Sequence, residues 1–161
     1  MAKKKRVITN AMRMLEKAKI PFDAIEYEAD SVGENFGMTI SALTGIPPCQ
    51  CFKTLVAKGS EIIVACIPVD CEVDLKKLSR ASLSKTVEMI SVRDLLSLTG
   101  YVRGGVSPLG MKKKYPTYFH ESIQNFDKIA ISGGVCGGSL LISPTDLIAQ
   151  TSGKIFDLIK D

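Results

Sequence analysis

The sequence predicts an α/β fold in one domain: a mixed sheet curled toward a barrel-like core, with helices around it. Three observations carry this expectation. Apolar residues recur at helical spacing in some segments and alternate in others, and the two kinds are interleaved along the chain. The interleaving is not a strict strand–helix–strand repeat, because two apolar strands follow one another directly at 50–57 and 61–68. Residues 1–161 suffice for one core, and no repeat, linker or low-complexity stretch divides them.

The elements follow in order. Val7, Ala11, Met14, Leu15 and Ala18 share one face of a first helix, which Pro21 closes. Residues 22–28 read as a short strand with Ile25 and Tyr27 on one side, and Asn35 is placed to cap a helix over 36–44. That helix ends at Gly45 and the Pro47-Pro48 pair. The hairpin 50–57 and 61–68 turns at Lys58-Gly59-Ser60. Asp74 reads as the cap of a helix through Ala81, and 86–90 as a strand. Ser91 with Asp94 resembles a capping box opening a helix over 92–98, stopped by Gly100. Strands are expected near 117–119, 128–132 and 139–142, and Ser143-Pro144 opens a last helix with Asp146 in its first turn.

Composition narrows the function classes. The net charge of +4 is too small to argue nucleic-acid binding by itself, so the placement of charge matters more. Lys3-Lys4-Lys5-Arg6 reads as a solvated run. Lys112-Lys113-Lys114 is either another such run or a contact surface. Five cysteines cannot all pair within one chain, and Cys49 and Cys51 are spaced for neither a redox pair nor a zinc half-site. With His120 as the single histidine, neither a metal nor any other cofactor is expected, and the thiols read as free in a reducing cytoplasm. No secretory signal and no membrane-spanning apolar run is read in the chain.

The chemically informative strand is Phe52-Lys53-Thr54-Leu55-Val56-Ala57. Both of its period-two faces are apolar, so Lys53 must sit at the strand's end and snorkel, find a partner, or be functional. Periodicity alone favours the snorkelling edge lysine. Two glycine-rich segments, 103–110 and 132–138, are either ordinary tight turns or nests of backbone N–H groups that hold an anion or oxyanion. Neither has the spacing of a P-loop or dinucleotide fingerprint. No Gly-x-Ser-x-Gly elbow is present, and His120 reads as a surface residue at a strand end, which argues against a histidine-dependent triad.

An ordered set of short motifs spans nearly the whole chain. It comprises Tyr27-Glu28 with Asp30, Asn35-Phe36-Gly37, Phe52-Lys53-Thr54-Leu55, Val73-Asp74-Leu75-Lys76-Lys77, Val87-Glu88-Met89 and Thr99-Gly100-Tyr101. Its densest part is Gly104-Gly105-Val106-Ser107-Pro108-Leu109-Gly110 leading into Lys112-Lys113, followed by Pro116-Thr117 and Ser132-Gly133-Gly134. In this order and spacing the chain resembles the YbaK/EbsC family, relatives of the editing domain inserted in bacterial prolyl-tRNA synthetases.

The resemblance implies a barrel-like mixed α/β fold and a cytoplasmic trans-editing hydrolase that deacylates mischarged tRNA. The implied substrate is Cys-tRNA(Pro) or Cys-tRNA(Cys). Alternatives are another small amino acid, as in Ala-tRNA(Pro), or a non-catalytic tRNA- or ligand-binding module. It implies catalytic roles for Lys53 and Gly104, and substrate contacts from Tyr27, Phe36, Thr54, Gly105, Ser132, Gly133 and Ser139. Attack by the substrate's own thiol would leave the protein to position the ester and supply electrostatics. Lys112, Lys113 and Lys114 would contact the tRNA backbone near the acceptor end. The implied partners are tRNA and prolyl-tRNA synthetase, with no DNA and no membrane. One departure stands out. Relatives commonly carry an acid where this chain has Ser139, and a hydroxyl holds an α-ammonium less strongly than a carboxylate does.

Overall fold

The computed structural model describes residues 8–27 and 36–161. In chain order these contain helix α1 (Asn10–Lys17), strand β1 (Asp23–Glu26), helix α2 (Phe36–Thr44), and strands β2 (Phe52–Lys58) and β3 (Ile62–Pro68). Helix α3 (Leu75–Ala81), strand β4 (Glu88–Met89), helix α4 (Leu95–Thr99) and strand β5 (Thr117–His120) follow. Strands β6 (Ile129–Val135) and β7 (Gly138–Ile142), helix α5 (Pro144–Thr151) and strand β8 (Lys154–Phe156) complete the set. Asn35, Asp30 and the basic run 3–6 lie outside the described residues.

The strands form two sheets. One has the order β1-β7-β6 and is antiparallel throughout. The other has the order β4-β2-β3-β5-β8; its first three strands are antiparallel, and β5 and β8 add in parallel. The mixed α/β architecture is therefore the expected one. Among the described residues the sheets are joined by one parallel bridge, Cys51 to Ala130, so hydrogen bonding leaves a seam and closes no barrel.

Local chemistry explains most elements. Asp74 accepts the N–H groups of Lys76 and Lys77 and caps α3 as its position suggested. Gly100, at φ 85°, takes the left-handed conformation that ends α4. The 91–98 segment differs from expectation. It opens with a 3-10 turn over Val92–Asp94, Ser91 makes no capping bond, and the α-helix begins only at Leu95. The face of α1 is also rotated. Thr9 accepts the Met12 N–H and donates to the Gly133 carbonyl, which pins the first turn to β6 and buries Met12 with Ala11 and Leu15 while Ala18 stays exposed.

Strand β3 is buried on both faces and organises the core. Val64 and Cys66 join Phe52, Phe119, Ile131, Leu140 and Leu147 in the main cluster, while Ile63, Ala65 and Ile67 pack with Leu78 and Leu158 on the other side. Strand β8 was not expected from the sequence. It pairs with β5, and the tail beyond it covers His120, which is 6% exposed and accepts the Leu158 N–H at Nδ1 (3.2 Å). His120 is thus a buried structural residue, not the surface residue its strand-end position suggested.

Candidate active site

The site is built at the seam. Past the Cys51–Ala130 bridge, β2 and β6 run in the same direction, so two residues further along each strand Lys53 and Ser132 stand at the same level. A cavity of about 360 Å3 opens there. It is lined along β2 by residues 51–56 and by Ser132 and Ser139, with Gly104 of the 103–110 loop on another side. The motifs that were separate in sequence meet in this space.

Lys53 is half-buried at the start of β2. Its register partner is Ile67, and strand alternation puts it on the face of Leu55 and Ala57. It lines the cavity, and no carboxylate of the described residues lies within ion-pair distance of it. Its ammonium offsets part of the rise that burial and Asp70 impose on the Cys71 thiol. Thr54 also lines the cavity, with Oγ1 3.7 Å from the buried Cys66 Sγ. Strand β2 therefore presents to a mostly apolar space a cation that has no carboxylate counter-ion among the described residues.

The other predicted residues divide into lining and supporting groups. Ser132 and Ser139 face one another across β6 and β7. The Ser132 Oγ accepts the Gly134 N–H at 3.2 Å, and the Ser139 Oγ lies 3.4 Å from the Tyr27 hydroxyl. Tyr27 does not line the cavity but backs Ser139, and burial raises its pKa, so it remains a neutral phenol. Gly104, at φ 86°, occupies a conformation that favours glycine, and among the described residues its N–H meets no protein acceptor. Gly105 and Gly133 stand behind the lining. A Cβ on Gly105 would come within 3.0 Å of the Val135 and Cys136 backbone, and the Gly133 carbonyl holds Thr9.

Phe36 begins α2, and its side chain lies outside the described residues; Ile40 of the same helix reaches the cavity. Lys112, Lys113 and Lys114 are exposed and do not line it. They follow the loop that carries Gly104. Lys112 packs its stem on Gly100, and Lys114 donates to the Ser152 hydroxyl at 3.0 Å. Cys51 and Arg103 also line the cavity and were not singled out in sequence. Burial pushes the Cys51 thiol up to about 11, and its Sγ donates weakly to the Ile46 carbonyl at 3.6 Å. Both flank motifs that were singled out, Cys51 beside Phe-Lys-Thr and Arg103 beside Gly-Gly, and that adjacency is the signal in the sequence.

The match to known proteins is extensive. A model of the aminoacyl-tRNA editing domain covers residues 38–149, which include Lys53, Gly104, Ser132 and Ser139. This chain belongs to the aminoacyl-tRNA editing domain family. A relative from Enterococcus faecalis, named "Putative Cys-tRNA(Pro)/Cys-tRNA(Cys) deacylase EbsC", is 41% identical over 98% of both chains. A proline–tRNA ligase of Bacillus cytotoxicus is 31% identical over 62% of this chain but only 17% of its own length. A crystal structure described as "a putative trans-editing enzyme for prolyl tRNA synthetase" superposes with a TM-score of 0.85 at 21% identity, over 94% of this chain and 96% of that one. That likeness identifies the fold. Among the described residues of this editing domain, no helix is long and apolar enough to cross a membrane.

Proposed function

We propose that the protein is a trans-editing hydrolase that deacylates mischarged tRNA, with cysteine esterified to proline tRNA as its first substrate and Cys-tRNA(Cys) as the second. The observation that carries this reading is the convergence of Lys53, Gly104 and Ser132 on one cavity at the seam of the two sheets. In this reading the seam is the open side of an incomplete barrel, and residues 1–161 act as one domain. The family and the name of the E. faecalis relative support the reaction class.

The mechanism is one of placement. The Lys53 ammonium holds a phosphate, ribose or carbonyl oxygen of the acylated terminal nucleotide, where low local polarity strengthens the interaction. The Gly104 N–H, which meets no protein acceptor among the described residues, stabilises charge developing on the ester carbonyl. Ser132, Ser139 and Thr54 orient the acyl group, with Tyr27 and Gly105 fixing the walls. The family resemblance assigns Phe36 a substrate contact, and Gly133 holds the turn behind Ser132. The substrate thiol attacks its own carbonyl, forms the C–S bond of a cyclic thiolactone and expels the ribose oxygen, which takes up the thiol's proton. Water then opens the thiolactone.

Lys112, Lys113 and Lys114 contact tRNA phosphates beside the acceptor end. The protein works in the cytoplasm, where prolyl-tRNA synthetase is a partner that supplies tRNA selectivity. Catalytic amounts of protein, tested on proline tRNA charged with cysteine, alanine or proline, decide the reading. Multiple turnovers on the cysteine ester are expected, with the proline ester spared. Protection of all three esters would identify a tRNA-binding module instead, and preference for alanine would change the amino acid but keep the enzyme.

A further inference from the structure

The cavity has apolar lining residues on either side of the polar group formed by Lys53, Thr54, Gly104 and Ser132. One apolar end is buried, walled by Cys51, Val69 and Ala130 at the bridge between the sheets. The other reaches exposed residues. Its floor is Val56 and Val106, both buried; its walls are Ile90 and Leu95, half-buried; and its rim is Met89 and Val92, exposed by 41% and 54%. Among the described residues, four of the eight exposed large hydrophobics fall between 89 and 102, namely Met89, Val92, Leu96 and Val102. The exposed apolar surface is therefore concentrated in the segments around this mouth, as expected where a ligand covers it.

We propose that this exposed end is the subsite for the terminal adenine of the tRNA acceptor strand. The assignment rests on the deacylase reading above and specifies where the nucleoside lies. The ester must sit beside Lys53 and Gly104. The acyl group and the nucleoside then leave it in opposite directions, and the polynucleotide has to exit through the open mouth. Strand β2 rises about 3.3 Å per residue, so Val56 stands about 10 Å from Lys53, a distance suited to a ribose and its base. The cavity-lining residues from Val56 to Leu95 in sequence are all apolar and offer apolar walls to a planar group. Such surfaces take the faces of a base by dispersion and apolar burial.

The test uses uncharged tRNA carrying 2-aminopurine at its 3′ terminus, together with Cys-tRNA turnover. Wild-type protein is expected to change the 2-aminopurine emission on binding, and Val92→Asp and Met89→Ser to abolish that change. The same variants should raise the KM for Cys-tRNA about tenfold with kcat preserved, since covering one apolar side chain is worth about a factor of ten or more. A terminal abasic residue should cost the wild type the same factor. Leu83→Asp, on an exposed side chain outside the cavity, is the control. The inference is overturned if the rim variants behave like Leu83→Asp, or if the emission is unchanged on wild-type binding. The emission is read without deacylation, so absence of turnover on Cys-tRNA would refute the proposed reaction and leave this assignment to be decided by fluorescence.

Discussion

Replacing Lys53 by methionine removes the charge at the centre of the site and keeps most of the stem. Lys53 is half-buried and has no carboxylate within ion-pair distance among the described residues, so its charge gains little from the protein itself. Loss of a partly exposed cation with no ion pair among the described residues should change stability by no more than about 0.5 kcal/mol, or about 2 °C in Tm for a chain of this size. In the proposed mechanism its interaction with substrate is a charge-assisted hydrogen bond, typically about 1.5–3 kcal/mol. Lys53→Met should therefore lower kcat/KM for Cys-tRNA deacylation by about 10- to 150-fold, measured under single-turnover conditions. A second signal comes from Cys71. The Lys53 ammonium opposes the upward push on that thiol, so the variant should raise its pKa and slow its alkylation at fixed pH. An unchanged deacylation rate would remove Lys53 from the mechanism. A Tm lower by more than about 5 °C would mean that its charge is structural.

Four further outcomes follow from particular contacts. Gly110→Ala places a Cβ 2.6 Å from the Asn10 carbonyl carbon at φ 71°, whereas Gly45→Ala, at φ 75°, meets nothing within 4 Å. The first should cost about 3 kcal/mol and the second about 1 kcal/mol in urea unfolding; equal losses would refute the contact argument. Burial lowers the His120 pKa below 6.5, so the unfolded chain binds a proton more readily. Its stabilising contribution is complete above pH 6.5 and declines as pH falls through that value; His120→Asn, scanned by thermal melts, should flatten the slope. Lys113→Ala should make the salt dependence of tRNA affinity shallower by about 0.9 in log–log slope, and an unchanged slope would mark the run as solvated. Cys51→Ala should retain at least about half of wild-type turnover on Cys-tRNA, and a loss above about 100-fold would identify Cys51 as a nucleophile.

Features governed by local chemistry were legible in sequence. The β2–β3 hairpin, the Asp74 cap and the Gly100 stop depend on residues a few positions apart, and all three are present. Features decided by distant partners were not. Strand β8 is a three-residue segment that exists because β5 offers it a parallel edge, and the same pairing and tail bury His120. The division into two sheets depends on where β2 and β6 diverge beyond Cys51–Ala130, which no local pattern records. For the site, the glycine motifs and Lys53 were visible as anomalies. Cys51 looked like an ordinary core thiol and Arg103 like a loop charge until the fold put both on the cavity.

That placement also bears on how the ester can be cleaved. The thiol and hydroxyl groups that line the seam belong to Cys51, Thr54, Ser132 and Ser139. Burial holds the Cys51 thiol near 11, which leaves only about one thiolate in 10,000 at pH 7, and its S–H is turned toward the Ile46 carbonyl. Ser132 spends a lone pair on the Gly134 N–H, and Ser139 faces the neutral Tyr27 phenol, not a base. His120, the one histidine in the chain, is engaged with the Leu158 N–H and does not line the cavity. No hydroxyl lining the cavity therefore has a histidine beside it to remove its proton. What the site does provide is a cation, an available backbone N–H and fixed walls. Those groups stabilise charge and hold geometry, and a substrate carrying its own thiol needs nothing more from the protein.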